Sequence, residues 1–484
     1  MSPEPVSPEP VSPDKSELLA LAADVARRYV AGERAGRASP DAAAVAALDG
    51  FPPDALDHPI PAAEAVALLD RLGGPAAMRT TGGRYFGFVN GGVDPAGLAA
   101  SVVAGAWDQN LALPVMSPVG AHLDATAARW IVDLLGLPAG ALASFCAGAT
   151  VANLTAVVTA RDTLLGRAGW DVRSRGLAGA PPLAVVTSAE IHASVGKALA
   201  VAGLGLDTVT AVPTDASGRL DPAAFAAVVG PDAGPTLVIV QAGNVNTGHS
   251  DPFAAVADHL ESTGVRNRCW IHVDGAFGLW AAAAPARRHL VAGVDRADSW
   301  ATDAHKWLNA PYDCGVVAVA DPGTLRAAMS MDAAYVSGAG DDRPLMNLGI
   351  QMSQAARAVP VWAILATWGR AGVAEAVERC CGLADRFARR LADAGVEILA
   401  PVVLNQALAA FPGAESTDAG TCDETTDAVI AAVQADGAAW LGATTWQGRR
   451  AMRISVSDTS TTGADVDTAA DAVLRAWAGV RQRG

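Results

Sequence analysis

Residues 299–315 read SWATDAHKWLNAPYDCG and place Lys306 directly after His305. The segment is otherwise built from small, apolar and turn-forming residues, which is an unusual setting for an ammonium group. The chain has 35 cationic residues, and the only other lysines are Lys15 and Lys197, so arginine is its ordinary cation. A lysine in an apolar turn indicates chemistry that a guanidinium cannot perform, such as forming a Schiff base. The alternative is a loop lysine whose head simply reaches solvent.

A second informative stretch lies about thirty residues upstream. Residues 270–278 read WIHVDGAFG, a short apolar run that ends in Asp274 and then continues with small residues. This pattern predicts a buried strand with a carboxylate at its C-terminal end. Because a buried carboxylate needs a cationic partner, the stretch favours a site shared by Asp274 and Lys306.

These motifs occur together with a third, SAEIH at residues 188–192. An SxxxH motif, an HVDxAxG strand end and an HKW lysine segment, in this order, resemble the group II decarboxylases that use pyridoxal 5'-phosphate (PLP). These are relatives of the aromatic-L-amino-acid and glutamate decarboxylases, and the resemblance runs from about Arg84 to the C-terminus. It implies an α/β protein of PLP fold-type I, with a mostly parallel seven-stranded sheet in a large domain and a small C-terminal α+β domain.

The chain order supports four regions. We expect a disordered Pro-rich tail over residues 1–15, an N-terminal helical segment over 16–83, a PLP-binding large domain over 84–356 and a small α+β domain over 357–484. Helices are expected to start at Ser16, as a cap, and at Pro61. Short apolar runs, most of them separated by helix-length segments, predict the strands of a largely parallel sheet at 183–188, 208–212, 236–241, 270–273, 298–302 and 315–320. Ligands of such sheets gather at the carboxyl ends of the strands, where Asp274 and Lys306 lie.

Charge and composition exclude several classes of partner. The net charge of -15 argues against binding to nucleic acid or to an anionic membrane, since both need concentrated positive charge. No apolar run reaches the roughly 18 residues of a membrane span, and the opening residues lack the order of a signal peptide. We therefore expect a cytoplasmic protein whose six cysteines are reduced thiols.

A turn of small residues precedes the helical run that starts near residue 151. We expect Gly148, Ala149 and Thr150 to bind the cofactor phosphate there, because free backbone N–H groups and the positive end of a helix attract an anion. Small residues before a helix also simply mark turns, so this reading has a structural alternative. The family usually has a Gly-rich or Ser/Thr-rich loop here, and Cys146 and Ala147 depart from it.

The resemblance also assigns roles to residues around the lysine. It implies that His192 stacks on the pyridine ring, that Asp274 pairs with the pyridinium nitrogen, and that Ala276 is small enough for the ring to lie close. His305 is expected to contact the phosphate or the carboxylate that is lost. Where the family often has Asn, this chain has Asp303, so no phosphate contact is assigned to it.

Two loops complete the expected site. Asn246, in QAGNVNTG at residues 241–248, corresponds to a turn near the ring oxygen of the cofactor, although an Asn-rich loop that satisfies its own backbone fits equally well. Tyr335 lies in MSMDAAYVSGAGDD, residues 329–342, whose Ser and Gly content predicts a mobile loop. In the family a tyrosine of the corresponding loop returns a proton to the substrate α carbon.

The resulting hypothesis is PLP-dependent decarboxylation of an L-amino acid to the amine and carbon dioxide by a homodimer. Aromatic residues in stretches that border the substrate in the family suggest an aromatic or bulky apolar substrate, and they are Tyr85, Phe86, Phe88 and Trp107. Another PLP reaction on the same fold remains open, namely aldehyde synthesis coupled to decarboxylation, C–C cleavage or transamination. A metal-dependent hydrolase, with His272, Asp274, Asp303 and His305 as ligands, is a remote alternative.

Overall fold

The computed structural model describes residues 14–331, 343–413 and 419–482. The predicted Pro-rich tail, apart from Asp14 and Lys15, lies outside the described residues. The first helix starts two residues earlier than expected, because its cap is Asp14 rather than Ser16. The Asp14 carboxylate accepts a hydrogen bond from the Ser16 backbone N–H at 2.7 Å, so Ser16 supplies a donor to the cap. The expected helix start at Pro61 is confirmed.

The described helices of the N-terminal segment and the large domain are α1 (Lys15–Gly32), α2 (Ala42–Ala46), α3 (Ala62–Leu68), α4 (Gly74–Ala76), α5 (Pro95–Trp107), α6 (Pro118–Leu134), α7 (Ala149–Arg167), α8 (Val172–Arg175), α9 (Ala193–Val201), α10 (Pro222–Val228), α11 (Phe253–Ser262) and α12 (Pro322–Met329). Those of the C-terminal region are α13 (Ala358–Asp393), α14 (Ala419–Asp436) and α15 (Gly463–Arg481). Of these, α13 changes direction at Gly369, whose φ is 58°.

The large domain is built on a seven-stranded sheet in the order β1-β7-β6-β5-β4-β2-β3. Its strands are β1 (Leu142–Cys146), β2 (Ala184–Ser188), β3 (Val209–Val212), β4 (Thr236–Gln241), β5 (Cys269–Asp274), β6 (Ser299–Asp303) and β7 (Gly315–Val319). Six of them confirm the strands expected from the apolar runs. The seventh, β1, was not expected.

All pairs between β2, β3, β4, β5 and β6 are parallel, whereas β7 runs antiparallel to both of its neighbours. Alternate residues of β4 enter different hydrophobic clusters: Leu237 and Ile239 pack with α7 and α9, while Val238 and Val240 pack with α6 and α11. Such two-sided burial explains why these strands read as continuous apolar runs. The carboxyl ends of β5 and β6, which carry Asp274 and Asp303, therefore lie side by side at one edge of the sheet.

The C-terminal region contains a second, antiparallel sheet in the order β10-β11-β9-β8. Its strands are β8 (Glu397–Ile398), β9 (Gln406–Ala410), β10 (Gly442–Trp446) and β11 (Arg449–Ser455). Tyr85, at the start of the expected large domain, forms a bridge to Trp440 beside this sheet. The exact domain boundaries stay predictions. Among the residues that the structure describes, no helix has the length and hydropathy required to cross a bilayer.

Candidate active site

Lys306 lies in a tight turn directly after β6. The N–H groups of Ala304 and His305 donate to the Cys314 carbonyl at 3.0 and 3.1 Å, which folds the chain back towards β7. The Lys306 carbonyl accepts from the buried Asn309 side chain at 3.0 Å. These bonds fix the backbone of the turn, so the position of the Lys306 side chain is determined by the fold.

The loop after Phe88 holds the turn from the opposite side. A Cβ atom at Gly91 would lie 1.9 Å from the Lys306 carbonyl oxygen, so only glycine fits there. Asn309 also donates to the Ser457 carbonyl at 2.9 Å and accepts from the Thr459 N–H at 2.9 Å. The lysine turn is therefore held by residues from both ends of the chain.

A small cavity opens beside the lysine. Four of the residues expected to form the site line it: Lys306, Asp274, His192 and Ala276. The structure thus brings together side chains that follow three different strands of the sheet. Gln241, Gly243, Val245 and Phe277 complete the wall.

Asp274 ends β5 and is 4% exposed. Its carboxylate accepts a hydrogen bond from the Ala276 N–H at 3.3 Å, and no described cation lies within ion-pairing distance. Burial raises the pKa of this carboxyl, while the charges of His192 and Lys306 oppose the shift. A buried carboxylate that faces a cavity without an ion-pair partner fits a ligand with a positively charged nitrogen.

His192 starts α9 and faces the same cavity. Its Nδ1 is 3.2 Å from the Ser194 N–H and 2.8 Å from the Ser194 hydroxyl, which orients the ring. Burial lowers the pKa of His192, and the positive charges of Lys306 and Arg453 lower it further, against the opposing charge of Asp274. A neutral, oriented imidazole suits stacking on an aromatic ring.

The expected phosphate turn lies at the other end of the site. Gly148 has a φ of 131°, no side chain caps α7, and Thr150 follows Ala149 in the first helical turn. A Cβ atom at Gly148 would lie 3.3 Å from Cε1 of His305, which shows how closely the histidine approaches this turn. Burial lowers the pKa of His305, although Asp303 opposes the shift.

Asp303 occupies the centre of this end, which the sequence did not indicate. Its Oδ1 accepts the Ala149 N–H at 2.6 Å, and its Oδ2 lies 3.2 Å from Lys306 Nζ and 3.6 Å from His305 Nε2. The available signal was its place three residues before the lysine and at the same sheet edge as Asp274. Replacement of the family's usual Asn by Asp is thus a charge change inside the site.

Of the expected residues that the structure describes, five do not line the cavity: Gly148, Ala149, Thr150, His305 and Asn246. The Asn246 side chain accepts a hydrogen bond from Thr444 of β10 at 2.9 Å, and the wall at this loop is formed by Gly243 and Val245. The structure therefore does not bring Asn246 to the expected cofactor position, because Thr444 engages its side chain. Tyr335 lies outside the described residues, so its role stays a prediction.

Arg453 of β11 is a further residue that sequence reasoning missed. Burial lowers the pKa of its guanidinium, and within the described part of the chain it has no ion-pair partner. Its charge acts on His192, which places it near the cavity. Because a half-buried, unpaired arginine is partly removed from water, this position favours an anionic group of a ligand.

The metal alternative lacks a ligand set in the structure. His272 is fully buried, and its ring nitrogens bond to the Ser299 hydroxyl at 2.9 Å and the Asn153 side-chain oxygen at 2.9 Å. It is therefore engaged on both sides as a structural residue. Over residues 14–331, 343–413 and 419–482, no group of three His, Cys, Asp or Glu residues is placed to hold a metal ion.

Comparison with known proteins agrees with this geometry. The family model described as the pyridoxal-dependent decarboxylase conserved domain matches residues 77–407. The chain belongs to this family. Tryptophan decarboxylase 1 of Oryza sativa is 28% identical over 399 residues, which are 77% of this chain and 76% of that protein. Human cysteine sulfinic acid decarboxylase is 32% identical over 253 residues, about half of each chain (51% and 50%).

The fold is that of solved decarboxylases. The crystal structure of Oryza sativa TDC with PLP and tryptamine superposes with a TM-score of 0.87 at 24% identity, covering 98% of this chain and 99% of that one. The expected fold-type I architecture is thereby confirmed, and the match to the pyridoxal-dependent decarboxylase family confirms PLP as the cofactor. This chain is a PLP-dependent amino-acid decarboxylase, a carboxy-lyase.

Proposed function

We propose that this decarboxylase converts an aromatic or bulky apolar L-amino acid into its amine and carbon dioxide. The choice of substrate class rests on the number of cations near His192 that could bind acidic groups of the substrate. The positive charges that act on His192 are those of Lys306 and Arg453. Lys306 is needed to hold the cofactor, so Arg453 remains for the substrate α-carboxylate. Among the described residues of one chain no other cation acts on His192, so a second acidic group on the substrate would have no cation of its own there, which favours an uncharged side chain.

An aromatic cluster near the lysine turn supports the same choice. Tyr85 stacks on Trp440 with ring centroids 4.9 Å apart, and Phe88 packs on Trp440 at 5.1 Å. Phe88 is 60% exposed, so its ring has a free face that can stack on a substrate ring. The similarity to a tryptophan decarboxylase points in this direction, whereas the similarity to a cysteine sulfinic acid decarboxylase is the reason to test acidic substrates as well.

The proposed roles follow from the cavity. Lys306 would hold the cofactor, the turn at Gly148, Ala149 and Thr150 would bind its phosphate, and His192 would keep its ring flat. When bound, PLP supplies an electron sink for the bond between the α carbon and the carboxylate. Asp274 would hold a proton on the ring nitrogen, since a carboxylate next to that nitrogen favours its charged form.

Arg453 would orient the substrate before the bond breaks. A guanidinium binds a carboxylate through two parallel hydrogen bonds, which fixes the direction as well as the position of the group. The proton that replaces the carboxylate at the α carbon would come from Tyr335, as the resemblance implies. His305 would contact the phosphate, because the structure places it against Gly148.

We also propose that the enzyme is a homodimer. Helix α1 has no buried residue, although it carries apolar side chains such as Leu19, which is 49% exposed. Trp107 and Val115 also expose large apolar side chains, as does Phe88. Exposed apolar surface of this kind is typical of protein–protein contact. Light scattering after size-exclusion chromatography would give twice the mass of one chain if the proposal is right.

The direct test of the substrate is a screen of the PLP-loaded protein against tryptophan, tyrosine, phenylalanine, leucine, glutamate and cysteine sulfinate. Carbon dioxide, amine and aldehyde are measured in the same reactions. The expected result is carbon dioxide and amine in equal amounts from an aromatic or bulky apolar substrate. Faster turnover of glutamate or cysteine sulfinate would refute the proposed substrate class, and aldehyde as the product would favour aldehyde synthesis.

A further inference from the structure

The Asp303 carboxylate occupies the position at which an anion of the cofactor would be attracted. It is 2% exposed, and its two oxygens face different donors. Oδ1 accepts the first N–H group of α7, at Ala149, at 2.6 Å. Oδ2 lies 3.2 Å from Lys306 Nζ and 3.6 Å from His305 Nε2. The carboxylate thus faces the positive end of a helix, an ammonium group and an imidazole.

These donors are the ones that a phosphate would use. The N-terminus of a helix binds anions because its N–H groups are free and its dipole is positive there. The cap residue of α7 is Gly148, which has no side chain to accept these N–H groups. Asp303, at the end of β6, accepts one of them. A phosphate at the same helix end must share or replace this bond, and it also meets the negative charge of Asp303 in a buried setting, where charges are poorly screened.

We propose that Asp303 is a resident anion that competes with the cofactor phosphate for the N-terminus of α7 and thereby weakens cofactor binding in this decarboxylase. In the cofactor-free enzyme it holds the helix end and pairs with Lys306. The proposal rests on PLP as the cofactor and is independent of the proposed substrate. Asparagine at this position keeps an oxygen that can accept the Ala149 N–H but removes the charge.

The test measures binding and not turnover. The full chain is stripped of cofactor and titrated with pyridoxamine 5'-phosphate, which has the phosphate and ring of PLP but cannot form a Schiff base with Lys306. Asp303→Asn is expected to bind this probe at least about tenfold more tightly than the wild type, equivalent to about 1.4 kcal/mol. With the probe at the same fractional saturation in both proteins, inorganic phosphate should displace it at lower concentration from the variant than from the wild type.

Asp313→Asn is the matched control. It removes one negative charge close to the site, but the Asp313 side chain is 49% exposed and pairs with Arg357 rather than with α7. Its affinity for the probe should change by less than about threefold. Pyridoxamine without the phosphate should bind equally well to the wild type and to Asp303→Asn. Asp303→Ala, which also removes the charge, serves as the second variant if the first does not fold.

Three results would overturn the proposal. One is unchanged or weaker binding of pyridoxamine 5'-phosphate by Asp303→Asn and Asp303→Ala. Another is an equal gain for pyridoxamine, since the effect would then not involve the phosphate. The third is a gain for PLP alone, because Asp303 would then act only through Lys306. None of these results depends on which amino acid the enzyme decarboxylates.

Discussion

Asp274 and Asp303 end neighbouring strands and are almost equally buried, at 4% and 2% exposure, yet their surroundings differ completely. Asp274 faces the cavity with one backbone N–H as its donor, whereas Asp303 is surrounded by a helix end, an ammonium group and an imidazole. Burial alone therefore does not tell which carboxylate serves a ligand. The unsatisfied one is prepared for a positive group of the cofactor, and the satisfied one already has its partners.

Lys306 lines the cavity with Asp274 and pairs with Asp303, so its removal affects the surroundings of both carboxylates. Lys306→Ala is expected to fold but to lose turnover by several orders of magnitude, because no other group supplies the amine. In the wild type, borohydride should attach the cofactor to Lys306, as read by peptide mass spectrometry. Attachment to Lys15 or Lys197 would show that the site is elsewhere.

Asp274→Asn tests the role of Asp274 independently of Asp303. The variant should still bind PLP, since phosphate contacts and stacking remain, but kcat should fall at least about a hundredfold, or about 3 kcal/mol, because a neutral amide does not hold the ring nitrogen protonated. Steady-state kinetics and a cofactor titration on the same preparation measure both quantities. A near-normal kcat would remove Asp274 from the proposed role and erase the contrast with Asp303.

Substitution of Arg453 tests whether the substrate carboxylate lies at this arginine. Arg453→Gln should lower kcat/KM by at least about thirtyfold, or about 2 kcal/mol, since a buried charge pair is lost. The product amine has no carboxylate, so its inhibition constant should stay the same in this variant. Weaker inhibition by the amine would mean that the substitution disturbs the whole cavity.

The smallest expected effect is on the stability of strands β5 and β6, which carry the two carboxylates. His272 joins β5, β6 and α7 through Ser299 and Asn153, and burial lowers its pKa to about 3. The unfolded chain binds this proton near pH 6.5, so the contribution of His272 to stability is lost as the pH falls from about 6.5 towards 3, by about 1.4 kcal/mol per pH unit. Urea unfolding of the wild type and His272→Gln between pH 7 and 5 should show the shallower slope in the variant. Equal slopes would assign the pH dependence to other groups.

The apolar runs of the sequence predicted most strands of the large sheet and the site residues at their ends. Strands β4 and β5 are largely apolar, because both faces of the sheet are covered. Since ligands of such sheets gather at the carboxyl ends of the strands, Lys306, His192 and Asp274 could be expected at one sheet edge. β1 was not predicted, although LASFC is as long as β2, β6 and β7.

What the sequence could not predict depends on contacts between distant segments. Arg453 reaches the site from the small domain, about 150 residues after Lys306, and no spacing rule connects them. The carboxylate of Asp303 was left without a role because its partner, the Ala149 N–H, belongs to a helix 154 residues earlier. Asn246 was assigned to the cofactor because its loop follows β4, but Thr444 of β10 takes its side chain.

The way in which Asn309 and Gly91 hold the lysine turn has a consequence for the synthesis of the protein. Asn309 bonds to residues 457 and 459, which are synthesised 148 and 150 residues after it. The turn therefore cannot reach its final form until that segment has been made, and contacts of such sequence separation form slowly. Cofactor capture then waits for this segment, so a nascent chain stalled before residue 457 should emerge without PLP attached.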